Sequence, residues 1–116
     1  MPLCNIITNV QAHNAKALSI KASALVAELL SKPQSYVLSM VTHNSSLTFG
    51  GTDEPTACLH IWSIGSVGGD KNRPLFAGIT KLVADELGIK PSRINIYTRD
   101  VDISDYGING DILSGL

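Results

Sequence analysis

This chain carries little charge. Nine basic and ten acidic residues make up 16% of its 116 residues, below the ~25% usual in soluble domains. The net charge of −1 excludes the basic field that a nucleic-acid or anionic-membrane binder needs. Disorder is excluded as well, because apolar residues reach 44% and disordered chains combine low hydrophobicity with high charge. No long apolar run is present. Ala24–Leu30 contains Glu28 and is far short of the ~20 residues of a membrane span, so no membrane insertion is expected. Met1–Asn5 has neither a basic n-region nor an apolar h-region, and no secretory signal is expected. Two cysteines, Cys4 and Cys58, are too few for a disulfide framework. They read as buried thiols in a reducing compartment, with a Cys4–Cys58 bridge left open. His13, His43 and His60 lack metal-ligand spacing, so no metal site is expected. Gly65–Gly69 lacks the lysine of a phosphate-binding loop.

What is present is enough for one domain over residues 1–116. Surface scaling gives roughly 6,100 Å² exposed when folded against about 17,800 Å² unfolded. Pro2–Val10 reads as a strand, rich in β-favouring residues. Asn14 is a helix cap, and Leu18, Ala22, Leu25, Val26, Leu29 and Leu30 then form one helical face over Ala15–Leu30. Pro33 is expected to end that helix. Tyr36–Val41, the short Leu47–Phe49, Cys58–Ile64 and Ile94–Thr98 read as strands. Asn72 is expected to cap a second helix lined by Leu75, Phe76, Ile79, Leu82, Val83 and Leu87, closed by a left-handed Gly88. The tail from Gly107 is only partly β-like.

A shift of 58 residues lays Leu3-Cys4-Asn5-Ile6 on Ile61-Trp62-Ser63-Ile64 and Lys32-Pro33 on Lys90-Pro91. Each half, about 1–57 and 58–116, reads strand, helix, Lys-Pro, strand. The expected architecture is therefore α+β: two βαβ units with parallel pairing inside each, giving a four-stranded sheet with two helices on one face. Strands such as Val37–Val41 and Leu59–Ile64 are apolar on both parities, as strands covered on both sides are. Other copies of the chain are the expected cover for the second face.

An ordered set of segments now carries a resemblance. Met1-Pro2-Leu3, Thr8-Asn9-Val10, Lys32–Val37, Phe49–Pro55, Ser63-Ile64-Gly65, Asn72-Arg73, Pro91–Ile94 and Gly107–Gly110 resemble the macrophage migration inhibitory factor family of the tautomerase superfamily. The resemblance implies a homotrimer with active sites at subunit interfaces. It implies a keto–enol tautomerase of the phenylpyruvate or dopachrome type, acting on a small enolisable keto acid with no cofactor. It also implies a cytokine-like ligand for an immune-cell receptor, both cytoplasmic and exported by a non-classical route.

By the same resemblance Pro2 is the catalytic base. Methionine aminopeptidases accept proline in the second position, which frees a secondary amine. Such a group titrates near ~7.7–8.0, and apolar walls and a nearby cation lower that value towards what proton abstraction next to a carbonyl requires. A retained Met1 would make this nitrogen an amide. Lys32 would lower the proline pKa and bind the substrate carboxylate together with the backbone N–H matching Ile64. Lys90, in the second repeat, is a structural helix-end charge. Asn95 and Tyr97 would reach a neighbouring subunit's pocket. The family order is tyrosine, then asparagine; here it is reversed, so each group moves by about 7 Å along one face. Tyr36 is kept, Tyr106 stands where valine is usual, Ile108 replaces a tryptophan and Leu113 a phenylalanine. These rim changes imply weaker activity on aryl pyruvates. Thr56-Ala57-Cys58-Leu59 lacks the family's Cys-x-x-Cys, and redox catalysis is rejected.

Overall fold

A computed structural model describes residues 1–113. Strand β1 (Leu3–Thr8), helix α1 (Ala15–Leu30) and strand β2 (Leu38–His43) are followed by β3 (Ala57–Ser63), α2 (Asn72–Leu87) and β4 (Ile94–Asp100). A small hairpin, β5 (Gly107–Ile108) and β6 (Asp111–Ile112), ends the described chain. The main sheet has the order β2-β1-β3-β4. β1 pairs parallel with β2 and β3 parallel with β4, while β1 and β3 run antiparallel at the centre. The expected α+β sheet of two βαβ units is therefore present.

Alternation sorts the strands into two faces. Cys4, Ile6, Leu59 and Ile61 are fully buried against Ala22, Val26, Leu75, Ile79 and Val83 of the helices. Burying each large aliphatic side chain contributes about 1.5–3 kcal/mol. On the opposite face no described element lies over the sheet, and Leu38, Tyr97 and Met40 keep 64%, 59% and 37% of their surface exposed. The radius of gyration, 14.4 Å, exceeds the ~13.4 Å expected for this length, as the open face and protruding hairpin require. Cys4 points into the helix layer and Cys58 to the open face, and both thiols are free. The bridge left open by the sequence is not made.

Helix α1 has the expected bounds. The Asn14 side chain accepts from the Ala17 N–H at 3.0 Å. Its end is set earlier than Pro33: Ser31 turns left-handed (φ 55), and the Ser31 and Lys32 N–H groups return to the carbonyls of Glu28 and Ala27 at 3.2 and 2.9 Å. β2 begins at Leu38 rather than Tyr36, because Gln34–Tyr36 curls into a 3-10 turn closed by Val37 N–H to the Gln34 carbonyl at 3.0 Å. Leu47–Phe49 forms no strand. Only Phe49 and Thr52 bridge, across Gly50 and Gly51 at φ 63 and 76, and the flanking carbonyls of Leu47, Asp53 and Glu54 accept from Asn9 and Arg93 instead of a partner strand. Asn72 does not cap α2. A 3-10 turn at Gly69–Lys71 leads into the helix, and the Asn72 side chain accepts from Gly68 N–H at 2.8 Å and donates to the Thr98 hydroxyl at 3.2 Å.

The order of elements recurs in the two halves, but the spacing is not uniformly 58. Ala15 and Asn72 are 57 residues apart, as are Leu30 and Leu87. A shift of 58 would lay open-face Leu3 on helix-facing Ile61. Preserving the faces needs an odd shift, and Leu3–Thr8 then falls on Cys58–Ser63, 55 residues on. The second β–α connection is two residues longer than the first.

Candidate active site

The head of β1 lies where α1 ends and β2 begins. Pro2 is fully buried there, and its carbonyl accepts from the Leu38 N–H at 2.9 Å. Strand register aligns Leu38, Leu3, Trp62 and Arg99 in one row on the open face. Above this row opens a cleft of about 410 Å³, walled by Met1, Pro2, Leu38, Trp62, Arg99, Val101 and Tyr106, with Asp105 also lining it. The walls are mostly apolar, which suits a small organic ligand held by a few polar groups.

The terminal ammonium is carried by Met1, and its pKa is held below the ordinary value. Burial is the larger cause and the positive charge of Lys32 the second. Both act against the charged form. Lys32 owes its position to the left-handed Ser31, which swings the chain off α1 immediately before it. In this chain the Pro2 nitrogen is bonded to Met1.

Ile64 follows the last residue of β3. The Ser63 carbonyl accepts from Val101 N–H at 2.8 Å, so the Ile64 N–H turns to the β1 side. Continuing the β1–β3 register past Leu3↔Trp62 brings it opposite Met1. Gly65 N–H is fixed by the Asp100 carboxylate at 2.8 Å, which anchors this turn. Tyr36 sits at the same end of the sheet on the 3-10 turn, 39% exposed, outside the cleft lining. Tyr106 lines the cleft, and its carbonyl accepts from Leu113 N–H at 3.0 Å. Ile108 is 48% exposed on the hairpin and faces a separate shallow groove.

Asn95 and Tyr97 share the open face, as alternation requires, but not this cleft. They border a smaller hollow of about 180 Å³ with Leu47–Phe49 and Thr56–Cys58. Asn95 pairs with Cys58, and Cys58 with Ile7. That places it about 17 Å along the sheet from Pro2 and about 10 Å across it. A single chain therefore brings together Pro2, Lys32, the Ile64 turn and Tyr106, and leaves Asn95 and Tyr97 apart.

Trp62, Arg99, Val101 and Asp105 are lining residues that the sequence reading did not single out. The available signal was parity: Arg99 lies two and four residues beyond Tyr97 and Asn95 on the same face. Its alignment with Trp62 depends on strand register.

The model of the family described as macrophage migration inhibitory factor (MIF) matches residues 1–114. A macrophage migration inhibitory factor homolog of Trichuris trichiura is 40% identical over 111 residues, covering 95% of this chain and 97% of that protein. The Brugia malayi homolog is 38% identical, with 95% and 96% covered. Among solved structures, macrophage migration inhibitory factor from Trichinella spiralis superposes with a TM-score of 0.90 at 31% identity, covering 96% of this chain and 99% of that one. The homologue from Prochlorococcus marinus gives 0.89 at 34%, covering 94% and 96%.

Proposed function

The chain belongs to the macrophage migration inhibitory factor family, and from that membership we propose that it is a keto–enol tautomerase whose base is the Pro2 nitrogen. The observation that carries the reading is the position of Pro2, buried at the edge of an apolar cleft where burial and Lys32 already depress the terminal amine. Removal of Met1 moves that amine one residue along, onto Pro2. The neutral secondary amine then takes a proton from the carbon next to the substrate carbonyl, and the proton is returned at oxygen. The reverse path runs enol to ketone. No oxidant is consumed, and the reading requires no cofactor.

In this reading the substrate is a small 2-keto acid of the phenylpyruvate type. Lys32 and the Ile64 N–H hold its carboxylate, the backbone donor being fixed before the substrate arrives. Leu38, Trp62 and Tyr106 supply the apolar walls, while Tyr36 and Ile108 stand outside them, on the 3-10 turn and on the hairpin. The exposed apolar face and the distance of Asn95 and Tyr97 from Pro2 support a homotrimer in which a neighbouring copy brings those two residues to the cleft. The test is phenylpyruvate tautomerisation by protein whose intact mass shows loss of Met1. Turnover in that form and none in the Met1-retaining form is the expected result. Equal turnover in both would sink the proline mechanism.

The second reading is a signalling ligand for an immune-cell receptor, active inside or outside the cell, and membership of the family supports it. Wherever Met1 is retained, an acylated Pro2 has no basicity and only this reading stands. Receptor binding by the Met1-retaining form would separate it from catalysis.

A further inference from the structure

One cation in the cleft lacks an ionic partner. The Arg99 guanidinium lies 5.0 Å from the centre of the Trp62 ring. Among the described residues the ion pairs are Lys21–Glu86, Arg73–Asp70 and Lys81–Asp85, and Arg99 is in none of them. Asp105 lines the same cleft without pairing to it. Arg93 provides the contrast. Its guanidinium donates to the carbonyls of Pro55, Phe49 and Glu54 at 3.0–3.2 Å, so its donors are spent on holding a loop. Arg99 spends its surface on an indole and keeps its edge for a ligand.

We infer that Arg99 seats a second anionic group of the substrate, so that the preferred substrate is an enolisable 2-keto acid with another carboxylate at its far end. The inference rests on the tautomerase reading, which assigns the first carboxylate to Lys32 and the Ile64 N–H. Two cations then bracket Pro2. Lys32 follows α1 beside the terminal amine, and Arg99 stands two strands across from Leu3, about 10 Å by strand spacing. A planar guanidinium laid on an indole is pre-oriented, and its edge is suited to two parallel hydrogen bonds to a carboxylate. The Trp62 ring serves as the wall for the substrate's body and the platform for the cation. Asp105 opposes a dianion by like-charge repulsion, so neutralising it strengthens the selectivity.

The experiment compares kcat/KM for phenylpyruvate and 4-carboxyphenylpyruvate, using protein that has lost Met1. The expected preference for the carboxylated substrate is about tenfold, the order of one charge-assisted hydrogen bond. Arg99→Gln should abolish that preference, Arg99→Lys should restore part of it, and Asp105→Asn should enlarge it. No preference in the unmodified protein, or the same ratio in Arg99→Gln, overturns the inference. If neither substrate turns over, the tautomerase reading fails and calorimetric binding of 4-carboxyphenylpyruvate decides about Arg99 alone. Tighter binding by the unmodified protein than by Arg99→Gln upholds the seat; equal affinity removes it.

Discussion

The two ends of the sheet are built from the same parts and differ in what the chain does beyond them. At one end α1 closes on left-handed Ser31, Lys32-Pro33 follows, a 3-10 turn leads into β2, and β1 begins beside it. At the other end α2 closes on left-handed Gly88, Lys90-Pro91 follows after Ile89, a 3-10 turn leads into β4, and β3 begins beside it. The second end is filled by the loop that precedes β3. Asn9 donates to the carbonyls of Leu47 and Glu54 at 3.1 and 3.0 Å, and Arg93 clamps the loop from the far side while lying 5.3 Å from the Phe49 ring. A hollow of about 180 Å³ remains there, against about 410 Å³ at the first end. Lys90 borders Glu54 and Arg93, whereas Lys32 acts on an amine. The two halves thus supply similar scaffolds, and in the proposed reading the chemistry belongs to the one that keeps a terminal amine and an open cleft.

The largest effect is expected at the base. Pro2→Gly replaces the rigid secondary amine with a freely turning primary one and should lower kcat/KM for phenylpyruvate by about a hundredfold, the usual worth of a well-positioned general base, read from the absorbance of the enol. Unchanged turnover would place the base elsewhere and break the contrast between the two ends.

The paired lysines give the next largest effect. The active form of the amine is neutral, so activity rises as pH passes upward through its pKa. Burial and Lys32 hold the Met1 amine below the ordinary value, and in the proposed reading the same two causes act on the Pro2 amine once Met1 is gone. Lys32→Met deletes the second cause, moves the acid limb of the pH–rate profile towards ~7.7–8.0, and removes a carboxylate contact. The expected loss is roughly tenfold near neutrality, with partial recovery at higher pH. Lys90→Met should leave both rate and profile unchanged and cost at most about 1 kcal/mol as a lost helix-end charge. A shifted profile in Lys90→Met would mean that the two ends communicate.

Burial sets a smaller asymmetry between the two thiols. Cys4 is pushed up to about 11, mainly by burial, while Cys58 is half-buried on the open face and is raised less. Native protein should therefore react with a thiol reagent first at Cys58. Because folded Cys4 keeps its proton above the unfolded value of 9.0, stability falls as pH rises from about 9 to about 11.

Legibility followed the range of the interaction. The bounds of α1, its Asn14 cap and the left-handed Gly88 are local features, set within a turn of the chain, and the sequence reading located them. The missing strand at Leu47–Phe49 and the true role of Asn72 depend on partners many residues away, whereas the 3-10 turn that delays β2 is a local exception. The site divides the same way. Pro2 was legible as the start of a strand and Lys32 as a helix-end cation. Trp62 and Arg99 were not, because the β1–β3 register that brings Trp62 to Leu3 joins residues 59 apart. The spacing of the repeat was misread for a related reason: residue identities matched at 58, but side-chain faces do not.

The helix ends offer the smallest and cleanest test of how alike the two scaffolds are. Ser31 and Gly88 adopt nearly the same left-handed backbone, φ 55, ψ 46 and φ 66, ψ 35. No atom lies within 4 Å of a Cβ added at Gly88, so Gly88→Ala meets only the backbone penalty. That penalty is about 1–2 kcal/mol, partly offset by about 0.4–1 kcal/mol from a stiffer unfolded chain. A net loss of about 1 kcal/mol is expected in urea unfolding. Ser31→Gly reverses the terms: it relieves the left-handed strain but frees the unfolded chain, and a gain of at most about 0.5 kcal/mol follows. Ser31 also precedes Lys32, so this variant reads the site as well. If Ser31→Gly gains stability while lowering kcat/KM, the strained serine is retained because it aims the lysine. If stability rises and kcat/KM does not move, the turn is scaffold only, and the difference between the ends rests on the terminal amine and the open cleft.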